Sequence, residues 1–196
     1  MRGDAFVALV ILLGAHTALA GSGAVKGTVT SAAGRVANAV VMIEGPSLAA
    51  TADAPHPVLD QRQQTFVPHV LAVPVGTTVD FPNSDPMFHN VFSASSAKTF
   101  DLGMYDKGEK KSVTFDKPGV VRVGCNVHPK MEAFVVVHTN PYAAVSDANG
   151  SYTVAGVPEG TYQLRVWHET LAERVVPITV HATEVEPVDV RLEPSH

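Results

Sequence analysis

The chain has 196 residues, 45% of them hydrophobic and 17% charged, with one cysteine, nine histidines and a formal net charge of −5. That apolar content supports one or two packed domains and excludes a disordered chain. An acidic balance without Lys/Arg clusters excludes nucleic-acid binding, whose affinity comes from basic side chains. A lone cysteine excludes an intramolecular disulfide, a four-cysteine zinc site, an iron–sulfur cluster and a C-x-x-C-H haem attachment.

Arg2 precedes an apolar run over 5–15, and Ala18-Leu19-Ala20 supplies a small-x-small cleavage pattern. Residues 1–20 therefore read as a secretory signal peptide cut before Gly21. Residues 5–20, interrupted by His16, fall short of the roughly 20 residues a spanning helix needs. The expected location is periplasmic or secreted, with no membrane span after cleavage. Cleavage removes Arg2 and Asp4 together, so the charge stays at −5.

From Gly21 onward, short Val-rich runs alternate with turn signals and no i, i+3, i+4 apolar pattern is sustained, which predicts an all-β chain. Expected strands cover 25–30, 39–44, 67–73, 77–81, 111–115, 120–123 and 133–138, then 151–154, 161–167, 174–180 and 185–192. Turns are expected at Ala33-Gly34, Val75-Gly76, Lys117-Pro118-Gly119, Asn149-Gly150 and Glu159-Gly160, where Gly supplies positive φ and Pro presets it. The Pro/Ala/Ser-rich stretch 45–56 reads as a loop or linker, and a second boundary falls near Asn140-Pro141. Many short strands so punctuated predict sandwiches or barrels.

The chemistry converges on Cys125. In Val123-Gly124-Cys125-Asn126-Val127-His128-Pro129-Lys130-Met131 a thiol, an imidazole and a thioether follow one another three residues apart. On a helix that spacing drifts around the axis, and Pro129 removes a needed N–H. Gly124 and Pro129 favour a loop leaving the end of a strand, which can curl three side chains around one centre. A fourth candidate is His89, 36 residues upstream of Cys125. Two histidines, a thiolate and a thioether are the donor set of a blue-copper site, trigonal His₂Cys with a weak axial Met. Zinc competes for the same donors, because selectivity follows geometry and supply as well as affinity. His69 reads as a surface or core residue, and His168 beside Glu169 as too small a cluster to define a second metal site. His16, His56, His138, His181 and His196 are scattered and suggest nothing.

Three segments resemble the cupredoxin family, of the amicyanin and plastocyanin type. Residues 64–80 (Q-T-F-V-P-H-V-L-A-V-P-V-G-T-T-V-D) resemble its opening strands, and 80–92 the strand and loop with the upstream histidine, including the pair His89-Asn90. Residues 111–137 resemble its last three strands, with a short C-x-x-H-x-x-M loop between the final two. The resemblance covers 55–138 and implies a Greek-key β-sandwich with one type 1 copper, cycling between Cu(I) and Cu(II), at His89, Cys125, His128 and Met131. It implies that the Asn90 backbone N–H donates to the thiolate while its side chain ties the two ligand loops together. It also implies that His128 is the ligand nearest the surface, ringed by an electron-transfer patch of Met87, Phe88, Pro129 and Met131. Gly124 departs from the family, many of whose members carry a larger residue before the cysteine.

Residues 144–167 resemble the second half of a carboxypeptidase regulatory-like, transthyretin-type β-sandwich, through a D-x-N-G hairpin and the turn V-P-E-G-T-Y. Residues 25–45 resemble its first half. The expected organisation is a signal peptide over 1–20 and a smaller sandwich split between 21–47 and 139–196, with the cupredoxin domain at 55–138 inserted. Insertion suits a loop whose ends are close. The alternative leaves 139–196 as a module on its own and adds 25–45 to the cupredoxin.

The expected function is that of an exported single-electron carrier and not an enzyme; the second module resembles non-catalytic domains, and no Ser/His/Asp set can be assembled from its spacing. An oxidase would need further copper centres with several extra histidines. The expected partner is a redox protein with a basic docking face, steered by the acidic charge. The competing reading is a copper-binding module for storage or delivery, with the second sandwich tethering it to protein or carbohydrate.

Overall fold

A computed structural model describes residues 21–45 and 55–195. The signal peptide expected over 1–20 and all but the edges of the linker expected over 45–56 lie outside the described residues. Every regular element among the described residues is a strand, as the turn-punctuated Val-rich pattern predicts.

The strands fall into three runs. The first holds β1 (Ser22–Ser31), β2 (Gly34–Arg35) and β3 (Val40–Glu44). The second holds β4 (Asp60–Arg62), β5 (Thr65–Val67), β6 (Val70–Pro74), β7 (Thr77–Pro82), β8 (His89–Ser95), β9 (Lys98–Tyr105), β10 (Lys110–Phe115), β11 (Gly119–Gly124) and β12 (Glu132–His138). The third holds β13 (Ala143–Val145), β14 (Ser151–Pro158), β15 (Gly160–Trp167), β16 (Arg174–Val180), β17 (Val185–Pro187) and β18 (Val190–Arg191).

The second run closes on itself. Its larger sheet runs β6-β12-β11-β8-β9, with β6 parallel to β12 and the other neighbours antiparallel. Facing it, β7 pairs with β10, and the bridges Val58–Asp80 and Gln61–Asn83 bring the β4–β5 hairpin alongside. Leu59, Phe81, Tyr105, Phe115, Val121 and Val135 fill the space between the two layers.

The first and third runs combine with each other. β1 pairs with β14, β17 and β18, and β3 lies between β13 and β15, giving the sheet β13-β3-β15-β16 opposite the β1 sheet. Val25, Ile43, Val154, Leu164 and Val180 form the core between them. A third cluster joins the two sandwiches: Val70, Phe134 and Val136 from β6 and β12 meet Val40, Met42 and Trp167 from β3 and β15. Strands β3 and β12 are thus covered on both faces, which explains why Val-Val-Met-Ile and Val-Val-Val read as continuous apolar runs rather than alternating ones. Phe134 and Trp167 lie ring to ring at 5.5 Å, and His69 Nε2 meets Glu169 Oε1 across the same junction at 2.8 Å.

Several expected strands change shape for local reasons. The run over 67–73 divides because Pro68 offers no N–H to a ladder, so β5 ends at Val67 and β6 begins at Val70. The run over 185–192 divides at Val188 and Asp189. There the Val188 carbonyl passes so close to Gly27 that a Cβ on that glycine would lie 1.8 Å from its oxygen. Asp189 meanwhile accepts from the N–H and hydroxyl of Thr28 at 2.8 and 2.7 Å.

Candidate metal centre

The segment between β7 and β8 is tied down by side-chain bonds. Asn83 Nδ2 donates to the carbonyls of Met87 and Tyr105, and its Oδ1 accepts from the Asp85 N–H at 3.0 Å. This brings His89 into the first position of β8, pairing with Tyr105, with its side chain fully buried. On the far side β11 ends at Gly124, and Cys125 turns inward, buried in the core of the same sandwich. From there His128-Pro129-Lys130-Met131 makes a turn closed by the Met131 N–H donating to the His128 carbonyl at 2.8 Å. Pro129 presets the second position of that turn.

Three donor atoms converge. His89 Nδ1 and His128 Nδ1 lie 3.1 Å apart, and Cys125 Sγ lies 3.9 and 3.8 Å from them. The point equidistant from all three is about 2.1 Å from each, within the 2.0–2.3 Å range of first-row metal bonds to imidazole nitrogen and thiolate sulfur. The donors also fit chemically: soft sulfur and borderline imidazole together suit copper in both oxidation states. Among the described residues this is the one cluster of three or more His, Cys, Asp or Glu side chains able to hold a metal ion. Met131 is 1% exposed in the same apolar core and lines, with Cys125, Phe92, Arg122 and Gly124, a cleft of about 390 Å³.

The surrounding residues sort themselves by exposure. His128 is half-buried, while its neighbour Val127 is 50% exposed and Phe88 beside His89 is 56% exposed. Pro129 is exposed and Met87 half-buried. Met131 does not join this surface, contrary to the patch expected from the sequence, because its side chain packs inward against the core. The Asn90 side chain links the loops: its Oδ1 accepts from the Asn126 N–H at 3.3 Å and its Nδ2 donates to Asp101 at 2.6 Å. No hydrogen bond from the Asn90 N–H to Cys125 Sγ is present among the described residues; the sulfur's neighbours there are the two imidazoles. The space left by Gly124 is taken by the Phe92 ring, whose Cε1 would lie 3.2 Å from a Cβ at that position.

Two participants escape the motif. Val127 follows Asn126 with nothing in the spacing to mark it as exposed. Asp85 accepts from His89 Nε2 at 2.7 Å and from the backbone of Gln64 at 2.8 Å, with Gln63 as a further donor. Burial pushes the Asp85 carboxyl up, but those N–H donors and His89 outweigh it and hold the group below its usual range. His69 and His168 sit at the junction of the sandwiches, away from this cluster, with His168 held low by burial.

Two protein-family models match the chain. Residues 56–138 match the model for copper binding proteins of the plastocyanin/azurin family, and 110–193 match the carboxypeptidase regulatory-like domain. The matches overlap over 110–138, whose strands pair within the first sandwich. The fold is therefore a cupredoxin-type β-sandwich joined to a carboxypeptidase regulatory-like β-sandwich. Among solved structures, a reduced amicyanin variant is 30% identical over 50% of this chain and 98% of its own, with a TM-score of 0.41. A purple cupredoxin from Nitrosopumilus maritimus is 26% identical over 42% of this chain and 99% of its own, at 0.39. A copper-containing nitrite reductase from Thermus scotoductus SA-01 is 27% identical over 47% of this chain, at 0.43, and the chain spans 24% of that enzyme. No curated protein sequence matches the chain.

Proposed function

We propose that the chain is an exported type 1 copper protein that carries single electrons between protein redox partners. The observation that carries this reading is the convergence of His89 Nδ1, His128 Nδ1 and Cys125 Sγ within bonding reach of one point. Copper, when bound, supplies the Cu(II)/Cu(I) couple. His89, Cys125 and His128 would hold it, with the Met131 thioether as the weak fourth donor.

The chain's own residues do the rest. β8 and β11 carry the donors on a packed sheet, so His89 and Cys125 keep their places in either oxidation state and little reorganisation accompanies transfer. His89 is fully buried and Cys125 5% exposed, which limits access of oxidants to the thiolate. His128, less buried, is the port. The exposed Phe88, Val127 and Pro129 flank it with apolar surface, a feature of docking faces, and redox encounters are typically small. The net charge of −5 steers the protein toward a basic partner. The leader pattern at 1–20 supports export.

The copper half reads as an insertion at 55–138 into a sandwich split between 21–47 and 139–196. What supports this is that β1 and β3 pair with strands beyond residue 138. The second sandwich then acts as a frame on which the copper half is mounted.

Voltammetry of the copper-loaded protein tests the function. A reversible one-electron wave with no loss of metal over repeated cycles is expected. Release of copper on reduction, or uptake well beyond one equivalent, would indicate storage or delivery instead.

A further inference from the structure

The turn between β4 and β5 is unusual. Gln63 and Gln64 have φ of 52° and 57°, the left-handed region that side chains other than Asn, Asp and Gly avoid. A two-residue hairpin with both φ positive ordinarily draws Asn-Gly, and nothing in Gln-Gln favours it. Backbone strain of this kind persists where surrounding structure demands it. Here the demand is visible: both strained residues aim their N–H groups at the Asp85 carboxylate, Gln64 to Oδ2 and Gln63 to Oδ1. Successive N–H groups in such a turn form a concavity that suits an anion. Asp85 is 4% exposed, and its remaining bond goes to His89 Nε2 at 2.7 Å.

We infer that Asp85 is a positioning residue for the metal centre: clamped by the Gln63–Gln64 turn, it holds His89 with its proton on Nε2 and its Nδ1 lone pair facing Cys125 and His128. A carboxylate receiving two backbone N–H bonds acts as an acceptor, so its bond to His89 requires the hydrogen on Nε2. In the neutral ring that leaves Nδ1 unprotonated, the state a metal ligand needs. Histidine ligands are commonly fixed this way by a carboxylate, which also strengthens the imidazole as a donor. The added negative charge favours the more positive ion of the couple, Cu(II). This inference rests on the copper reading above for its redox consequence but not for the state of His89.

The test has two arms. In metal-free protein, ¹⁵N NMR of the histidine rings should find His89 protonated on Nε2, with that proton slow to exchange. In copper-loaded protein, Asp85→Asn should weaken Cu(II) binding about 10–100-fold. Cu(I) should be affected less, raising the reduction potential by about 59 mV for each tenfold difference between the two ions. Asp80→Asn, a buried carboxylate bound to Lys110 and Ser112 instead, serves as the control and should leave the potential unchanged. A His89 proton on Nδ1, or an Asp85→Asn potential equal to the control's, overturns the inference. If Asp85→Asn does not fold, the ring spectrum of the wild type decides alone. A wild type that takes up no copper defeats the electron-carrier reading, and the position of the His89 proton still decides the role of Asp85.

Discussion

The two sandwiches share an architecture but differ in what they bury. Between the sheets built on β1 and β3 the core is Val, Ile, Leu and Tyr. The buried polar side chains beside them, Asn140 and Ser146, serve the backbone: Asn140 Nδ2 donates to the Ile43 carbonyl, and Ser146 accepts from the Ala39 N–H and donates to the Val36 carbonyl. The copper half has an equally apolar centre, but at the end of its larger sheet it buries Asn83, Asp85, His89 and Asn90 beside Cys125. Burying polar groups costs stability unless each finds a partner, and here each does. The lesson is that the second sandwich is built for packing, whereas the first gives up packing at one end to hold a polar cluster in fixed geometry.

The sharpest way to break that comparison is Cys125→Ser. It should abolish the thiolate-to-copper absorption entirely while leaving the β-sheet circular dichroism intact, because a hydroxyl replaces a thiol of similar size. Retention of the band would mean that it does not arise from a thiolate, since Cys125 is the one cysteine of the chain. In the framing sandwich the effect should be on stability alone: Ile43→Ala, at a fully buried position, should cost about 2–5 kcal/mol in chemical denaturation. Copper binding by the folded fraction should stay unchanged. At the junction, Trp167→Ala removes the ring that meets Phe134 and should cost about 1–3 kcal/mol. It should also split a single unfolding transition into two; an unaltered transition would show that the apolar junction does not couple the halves.

The smallest effect is acid dependence. Lys110 and Ser112, with His56, hold the Asp80 carboxyl down from 3.8 to about 2. A carboxyl depressed on folding stabilises above its unfolded pKa, and that contribution is lost as pH falls from about 4 toward 2. With Lys110 partly exposed the contribution is roughly 1–2 kcal/mol. Asp80→Asn should flatten the stability profile over that window and leave it unchanged in slope near neutrality.

Much of this was legible in the chain. The strands of the framing sandwich follow apolar alternation and glycine turns, and the Cys125–Met131 segment shows its donors in order. β8 was hidden because His89, Asn90 and Ser93 face inward, inverting the alternation by which strands are read. β9 was hidden because it lies at the sheet edge with a single buried side chain, Tyr105, and a glycine at 103. Asp85 could not be distinguished from any acidic loop residue, since its role depends on a hairpin some twenty residues earlier that carries no recognised turn sequence. Met131 was expected both as a ligand and in the surface patch around His128, but the turn over 128–131 points it into the core.

The central claim, that one thiolate and two imidazoles form a single electron-carrying copper site, is tested most directly by optical titration of metal-free protein with Cu(II). The account predicts an intense visible thiolate-to-copper band that saturates at one equivalent, bleaches on reduction and returns on reoxidation without added metal. Saturation with no such band, or a band that does not return, would contradict it.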